Sequence, residues 1–240
     1  MIIIPARLES TRLPRKVLCE IGGVPMVVCT AQRANEVDEV VVACDDEAIL
    51  EVCKSYKIPC VLTSKAHTSG TDRCAEAAQK LGLKSDAIII NLQADEPFIE
   101  TSVLETLQSL SAESSAFLNT LAKVIEPSQI ADTNLVKVLL NAKGEAIYFS
   151  RLGIPYSRDG LDSILIKQNP YLGHLGLYGF RKENLEAFCK LPKSPLEEIE
   201  KLEQLRALYH AKTIALKIVQ TQSIGIDTAE DLQQAQKCFT

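Results

Sequence analysis

Val40-Val41-Val42-Ala43-Cys44, the stretch Asp46 to Tyr56, and Cys60-Val61-Leu62 form a strand, a helix and a strand in direct succession. The two outer pieces are short apolar runs. Between them, Ile49, Leu50 and Cys53 recur on one side of a helical period. The same alternation extends outward. Upstream, Ile2-Ile3-Ile4 reads as a buried strand and a helix runs from Pro25 through Ala34. Downstream, helices at Asp72–Leu81 and Ser102–Leu110 flank a strand at Ala87–Leu92. Continuous apolar strands separated by amphipathic helices predict a parallel sheet covered on both faces, hence an α/β fold. Such sheets bind ligands beyond the carboxyl ends of their strands, so the residues after each strand are where chemistry is expected.

The second half changes character. Leu135–Leu140 and Ala146–Phe149 flank Asn141-Ala142-Lys143-Gly144, a hairpin signal. Leu175–Phe180 and Ile214–Val219 read as strands, and Lys182–Cys189 and Leu196–Tyr209 as helices. A closing helix, Thr228–Phe239, has Thr228 as its cap. Arg158–Pro170 is polar and irregular. The expectation is one continuous α/β domain over residues 1–240, with a mixed central sheet and a β-hairpin excursion.

Composition narrows the function. The 240 residues are 46% hydrophobic and 24% charged with a net charge of −5, which argues against a general nucleic-acid or membrane-surface role. No apolar run is long enough for a signal peptide or a membrane span, and a cytoplasmic protein is expected. The 8 cysteines are scattered without a C-x-x-C and several sit inside apolar patterns, so buried reduced thiols are expected. His67, His174 and His210 are far apart, which disfavours zinc.

Against the acidic background stands a basic loop directly after the first strand, with Arg7, Arg12, Arg15 and Lys16 offset only by Glu9. It lacks the Walker A and dinucleotide glycine patterns, yet arginine, lysine and backbone N–H groups in a turn can hold a triphosphate. Asp95 follows the strand ending in Asn91-Leu92-Gln93, which places it on the same rim. A hard divalent cation can take one or two carboxylates and fill its other positions with phosphate oxygens and water. Glu96 also reads as a cap or turn residue before Pro97. Asp227 reads equally as part of a helix start, with Thr228 and Asp231 as a capping box. The two aspartates gain meaning as a pair around one ion. Arg73, in the first turn of a helix where a cation opposes the macrodipole, makes sense if it faces an anionic ligand. His174 and Tyr178, four apart on a strand, share a face.

Ordered motifs run the length of the chain: P-A-R-x-x-S-T-R-L-P-x-K at Pro5–Lys16, H-x-S-G-T-D-R at His67–Arg73, Q-x-D-E-P at Gln93–Pro97, and N-x-V-K-V at Asn134–Val138. Y-F-S-R at Tyr148–Arg151, H-x-G-x-Y-G-F-R at His174–Arg181, S-P-L-E-x-I-E-x-L-E-Q-L-R at Ser194–Arg206 and G-I-D-T-x-E-D-L at Gly225–Leu232 follow. This pattern resembles the 3-deoxy-manno-octulosonate (Kdo) cytidylyltransferase family. The resemblance implies a Rossmann-like nucleotide-diphospho-sugar transferase fold, usually a homodimer with the region 134–150 at its interface. It also implies CTP and Kdo as substrates and Mg²⁺ as cofactor. The anomeric hydroxyl of Kdo would attack the α-phosphate and release pyrophosphate, supplying CMP-Kdo for lipopolysaccharide. Carried over by position, Arg7, Arg12 and Lys16 hold the triphosphate, and Ala6 and Gln93 lie near nucleotide and sugar. Asp95 and Asp227 hold magnesium. Arg73, Arg158, His174, Tyr178, Glu203 and Gln204 line the acid-sugar pocket.

One departure stands out. Ala94 occupies a position where the family commonly has glycine. A positive φ there would cost alanine roughly 1–2 kcal/mol. If glycine serves only close approach, the added methyl would shift the ligand. Two rival readings are a cytidylyltransferase for another acid sugar (an amino-substituted Kdo or a sialic acid) and a non-catalytic sugar-nucleotide sensor. Leu8-Glu9-Ser10-Thr11 lacks the glycine-rich opening of sialic-acid enzymes, and the joint presence of Lys16, Asp95 and Asp227 argues against the sensor.

Overall fold

The computed structural model describes residues 1–10, 13–158, 160–161, 164–223 and 225–237. In chain order the elements are β1 (Ile2–Ala6), β2 (Glu20–Ile21), β3 (Val24–Pro25), α1 (Met26–Ala34), β4 (Val40–Cys44), α2 (Glu47–Ser55), β5 (Cys60–Leu62), α3 (Gly70–Lys80), β6 (Ile88–Asn91) and α4 (Thr101–Glu113). They continue with β7 (Leu118–Val124), β8 (Lys137–Leu140), β9 (Ala146–Ser150), α5 (Ile164–Gln168), β10 (Leu172–Arg181), α6 (Lys182–Lys190), α7 (Pro195–Glu200), α8 (Leu205–Tyr209), β11 (Ile214–Ile218) and α9 (Ala229–Lys237). The α/β class holds. By contacts the chain divides into two compact units, one of Met1–Glu105, Arg181–Cys189 and Thr221–Thr240, the other of Thr106–Phe180 and Lys190–Gln220.

In the first unit, β6, β1, β4 and β5 pair in that order and all in parallel, with Ile2 opposite both Ile90 and Val40 and Val42 opposite Cys60. β1 and β4 are buried along their whole length, as expected for strands covered on both faces. Ile49 and Cys53 of α2 and Cys74, Ala77 and Ala78 of α3 are fully buried. Helices α2 and α3 start on side-chain caps. Asp46 accepts from Ala48 N at 3.0 Å and Ser69 from Asp72 N at 3.1 Å, each worth about 1 kcal/mol. β1 and β6, being parallel, deliver the basic loop and Gln93 to one rim.

The second unit is mixed. β10 lies antiparallel to β7, while β11 runs parallel to β7 with Ile214 opposite Leu118. β8 and β9 form the expected hairpin, closed by Asn141, which accepts from the backbone of Lys143 and Glu145, and joined to β10 at Gly173–Lys137. Lys137 is fully buried, and its ammonium donates to the carbonyls of Asp132, Leu135 and Arg151 at 2.6–2.7 Å.

Three expectations change. The single helix over Leu196–Tyr209 is two, because Lys201 adopts a left-handed conformation (φ 54°) that ends α7. A capping box of Ser194 and Glu197 starts α7, and the buried Glu197 then pairs with Arg206 of α8. The irregular stretch Arg158–Pro170 contains the short α5. β7 adds a strand where no apolar run announces one. Its Asn119 and Thr120 are buried polar residues: the Asn119 amide N–H donates to the Gly179 carbonyl, while its Oδ1 has no hydrogen-bond partner among the described residues, and the Thr120 hydroxyl lies within reach of the Leu175 and Leu177 carbonyls.

Candidate active site

Beyond β1 the backbone enters the basic loop, and Lys16 opens a single 3₁₀ turn, Lys16–Leu18. The Lys16 ammonium donates to Asp95 and, at 3.0 Å, to Oδ1 of Asp227. These aspartates are distant in sequence, and backbone contacts bring them together. The N–H of Ile226 donates to the carbonyl of Asp95 at 2.9 Å. Ser223 donates to Glu96 at 3.2 Å, and Glu100 accepts from Thr221 and from Gln222 N. A Cβ on Gly225 would stand 2.9 Å from Glu96 Oε1, so glycine there allows this close approach. Glu96, Glu100 and the Asp95 carbonyl thus hold Thr221, Gln222, Ser223 and Ile226.

The two readings of Asp227 are compatible. Thr228 and Asp231 form the start of α9, with Asp231 accepting from Asp227 N and Thr228 N and donating its own N–H to Thr228. Helix capping therefore falls to these neighbours, and the Asp227 carboxylate, 45% exposed, turns to Lys16. Burial alone would lower the Lys16 pKa, but the charges and hydrogen bonds of Asp95 and Asp227 outweigh it and hold the ammonium above its ordinary value.

A cavity forms around this trio, lined by Pro5, Arg7, Ser10, Lys16, Val17, Gln93, Ala94, Asp95 and Asp227. A second shares Pro5, Arg7 and Gln93 and is completed by His67, Thr68, Ser69, Gly70 and Arg73. Two carboxylates that reach one cationic nitrogen could hold a small hard cation, with phosphate oxygens and water completing it. Among the described residues no cluster of three or more His, Cys, Asp or Glu side chains could hold a metal alone. The donor set therefore suits a cation that arrives with a phosphate ligand.

Ala94 does not need glycine's freedom. The non-glycine residues with positive φ among those described are Arg15, Lys57, Lys201 and Ala211. Its carbonyl accepts from Thr30 Oγ1 at 2.9 Å, and the residue is buried against the cavity. Backbone strain at this position is ruled out; the methyl on the cavity wall remains. Ala6 is buried within β1 opposite Cys44, and its neighbour Pro5 lines both cavities instead.

Arg73 belongs to the first unit, whereas His174, Tyr178, Glu203 and Gln204 belong to the second. Its guanidinium is 4% exposed, pairs with Asp45 at 3.1 Å, and donates to Thr63 Oγ1 and the Ser64 carbonyl. Arg158 is exposed and outside any helix or strand. Arg12 lies outside the described residues. Sequence reasoning missed Asp45 and Pro5. Asp45 had a usable signal, since it follows β4 as Asp95 follows β6.

In the second unit His174 and Tyr178 do share a face. β10 carries four steps between them where β7 takes two, His174 facing Ala122 and Tyr178 facing Thr120, so an even irregularity preserves the alternation. Their rings are 5.6 Å apart, and Phe149 meets His174 edge-on at 4.9 Å. Tyr178 donates to Gln204 Oε1 at 3.0 Å. Burial and the Glu203 charge push the tyrosine well above its usual range. Gln204 sits on the break between α7 and α8, 3% exposed, and its Nε2 has no hydrogen-bond partner among the described residues. Glu203 is 3.8 Å from Arg206.

A basic loop beyond β1, Asp95 beyond β6 and Asp227 gathered on one lysine at the carboxyl rim of a parallel α/β sheet is the kind of arrangement found in nucleotide-handling enzymes. Residues 1–214 match the family model for cytidylyltransferases. A 3-deoxy-manno-octulosonate cytidylyltransferase of Helicobacter pylori is 56% identical over 100% of this chain and 98% of its own length. That of a Nitratiruptor species is 52% identical over 100% and 99%. A solved structure of CMP:2-keto-3-deoxy-manno-octonic acid synthetase complexed with CTP superposes with a TM-score of 0.90 at 36% identity, covering 99% of this chain and 96% of that one. The chain belongs to the 3-deoxy-manno-octulosonate cytidylyltransferase family.

Proposed function

We propose that this chain transfers a cytidylyl group from CTP to the anomeric hydroxyl of Kdo, with pyrophosphate leaving, as its family membership implies. The convergence of Lys16, Asp95 and Asp227 beyond β1 and β6 carries this reading. Displacement at a phosphorus centre needs alignment and charge neutralisation more than covalent catalysis. Asp95 and Asp227 would hold Mg²⁺ together with the triphosphate. When bound, that ion supplies Lewis-acid polarisation of the α-phosphate. Lys16 then exchanges its carboxylate partners for phosphate oxygens, which its flexible stem permits, and offsets charge on the departing pyrophosphate. Arg7 lines both cavities and reaches the same anion from the loop.

The second cavity is read as the nucleobase site. Arg73 is there, and its charge is balanced by Asp45, so it suits hydrogen bonding to a neutral carbonyl oxygen better than to a phosphate. Arg73 thereby moves from the acid-sugar side to the nucleotide side. The Gln204 amide and the Tyr178, His174 and Glu203 group of the second unit are read as acid-sugar contacts, supported by the unpartnered Gln204 Nε2. A homodimer through the hairpin β8–β9 is proposed on the family resemblance. A cytoplasmic site of action fits the described residues, none of whose helices is long and apolar enough to cross a membrane.

Pyrophosphate release with CTP and Mg²⁺, run over Kdo, an amino-substituted Kdo and a sialic acid, tests this. Preference for Kdo is expected. Preference for another acid sugar would reassign the substrate, and no release with any would remove the enzymatic reading.

A further inference from the structure

We propose that Asp45 is a positioning residue for the nucleotide, one carboxylate fixing both the start of the basic loop and the guanidinium of Arg73. Asp45 follows the last residue of β4, on the carboxyl rim of the parallel strands. Its Oδ1 accepts from the backbone N–H of Leu8 at 2.9 Å, immediately after Arg7. Its Oδ2 accepts from Arg73 Nη2 at 3.1 Å. Asp45 is 14% exposed and is not among the residues lining either cavity described above, so it acts through the two arginines rather than on the ligand.

The pairing solves a specific problem. Arg7 leaves the sheet on a loop, and an unanchored loop would have to be ordered at the expense of binding energy. Lys16 is tied at the loop's far end by Asp95 and Asp227; Asp45 ties the near end. Arg73, held by Asp45, Thr63 and Ser64, presents its guanidinium in one orientation. Charge-assisted hydrogen bonds of this kind are the strong ones.

Electrostatics and positioning predict opposite signs. A carboxylate near a triphosphate repels it, so by charge alone Asp45→Asn should tighten CTP. Positioning predicts the reverse. Because the amide cannot serve both partners as the carboxylate does, KM for CTP should rise roughly ten- to a hundredfold, with kcat within about threefold and KM for Kdo unchanged. Combined with Arg73→Ala, the effect on CTP should be less than additive.

This rests on reading the two cavities as the nucleotide site, so a second measurement is independent of that reading. Tryptic cleavage after Arg7 or Arg15 of the native protein, followed by mass spectrometry, should be faster in Asp45→Asn. An unchanged or lowered KM for CTP in a variant with wild-type circular dichroism overturns the proposal. Faster cleavage in that case means the anchor exists and the nucleotide assignment is at fault, and unchanged cleavage means there is no anchor. If Asp45→Asn does not fold, Asp45→Glu, which keeps the charge but displaces the oxygens, is read by the same two criteria.

Discussion

Asp95 and Asp227 both accept from one ammonium, that of Lys16, the Asp227 contact measuring 3.0 Å. The lysine holds together two carboxylates that would otherwise repel, in the place where a phosphate-borne cation would be clasped. On the proposed function, these three side chains would have two alternative partnerings: lysine with carboxylates, or carboxylates with metal and lysine with phosphate.

Lys16→Gln separates these partnerings. Without the ammonium the two carboxylates face each other unbalanced, so the apo protein should lose thermal stability. Millimolar Mg²⁺ supplied with a non-hydrolysable CTP analogue should restore it, with a larger magnesium-dependent rise in Tm than in wild type. Turnover should nonetheless fall at least about a hundredfold, because the leaving pyrophosphate loses its cation. Equal magnesium shifts in variant and wild type, measured by thermal melts, would remove the shared-site reading.

Asp95→Asn and Asp227→Asn should each reduce turnover about a thousandfold or more while the fold persists. In both variants the magnesium-dependent rise in Tm seen with a non-hydrolysable CTP analogue should disappear. Near-normal CMP-sugar formation by either one at matched magnesium would contradict the assignment.

Arg73→Ala should raise KM for CTP about tenfold or more and leave KM for Kdo nearly unchanged. Initial-rate kinetics with each substrate varied in turn decide this. A rise confined to Kdo would return Arg73 to the sugar side.

The parallel half of the fold was legible because its strands are unbroken apolar runs such as Val40–Cys44, buried on both faces. β7 was not, because Asn119 and Thr120 interrupt its apolar signature while being buried inside the sheet, where the Asn119 amide N–H and the Thr120 hydroxyl donate to carbonyls of β10. The break at Lys201 was invisible for a different reason. It is a left-handed residue without glycine, and the charge pattern of Glu197, Glu198, Glu200 and Glu203 continues a helical period straight through it. Lys16 and Asp95 could be nominated from the ends of β1 and β6 and Asp227 from its motif, but their meeting depends on Glu96 and Glu100 holding Thr221, Gln222 and Ser223 and on the Asp95 carbonyl holding Ile226, which spacing does not encode. Arg73 was visible as an anomaly in a first helical turn. Its partner Asp45 comes from another strand, so only tertiary structure could show that the charge is already balanced.

His174 carries a pH prediction. Burial holds its imidazole down to about 3, against an ordinary histidine value near 6.5. Its environment fixes the neutral form. Thr120 Oγ1 has one proton, which goes to the Leu177 carbonyl at 2.7 Å, leaving the oxygen to accept from His174 Nε2–H at 2.9 Å. Between about pH 3 and 6.5 the unfolded chain binds a proton at this site that the folded chain refuses, so stability rises with pH across that window. Acidification from pH 7 should therefore destabilise the protein, with His174 contributing on the order of a few kcal/mol by the bottom of the window. His174→Gln can still meet Thr120 and does not titrate. Its stability at pH 7 should be lower, because the edge-on contact with Phe149 is lost, but its dependence on pH between 4 and 6.5 should be shallower than wild type. Urea denaturation at a series of pH values measures both slopes. Parallel slopes would show that acid sensitivity arises elsewhere and that His174 takes up its proton without unfolding the second unit.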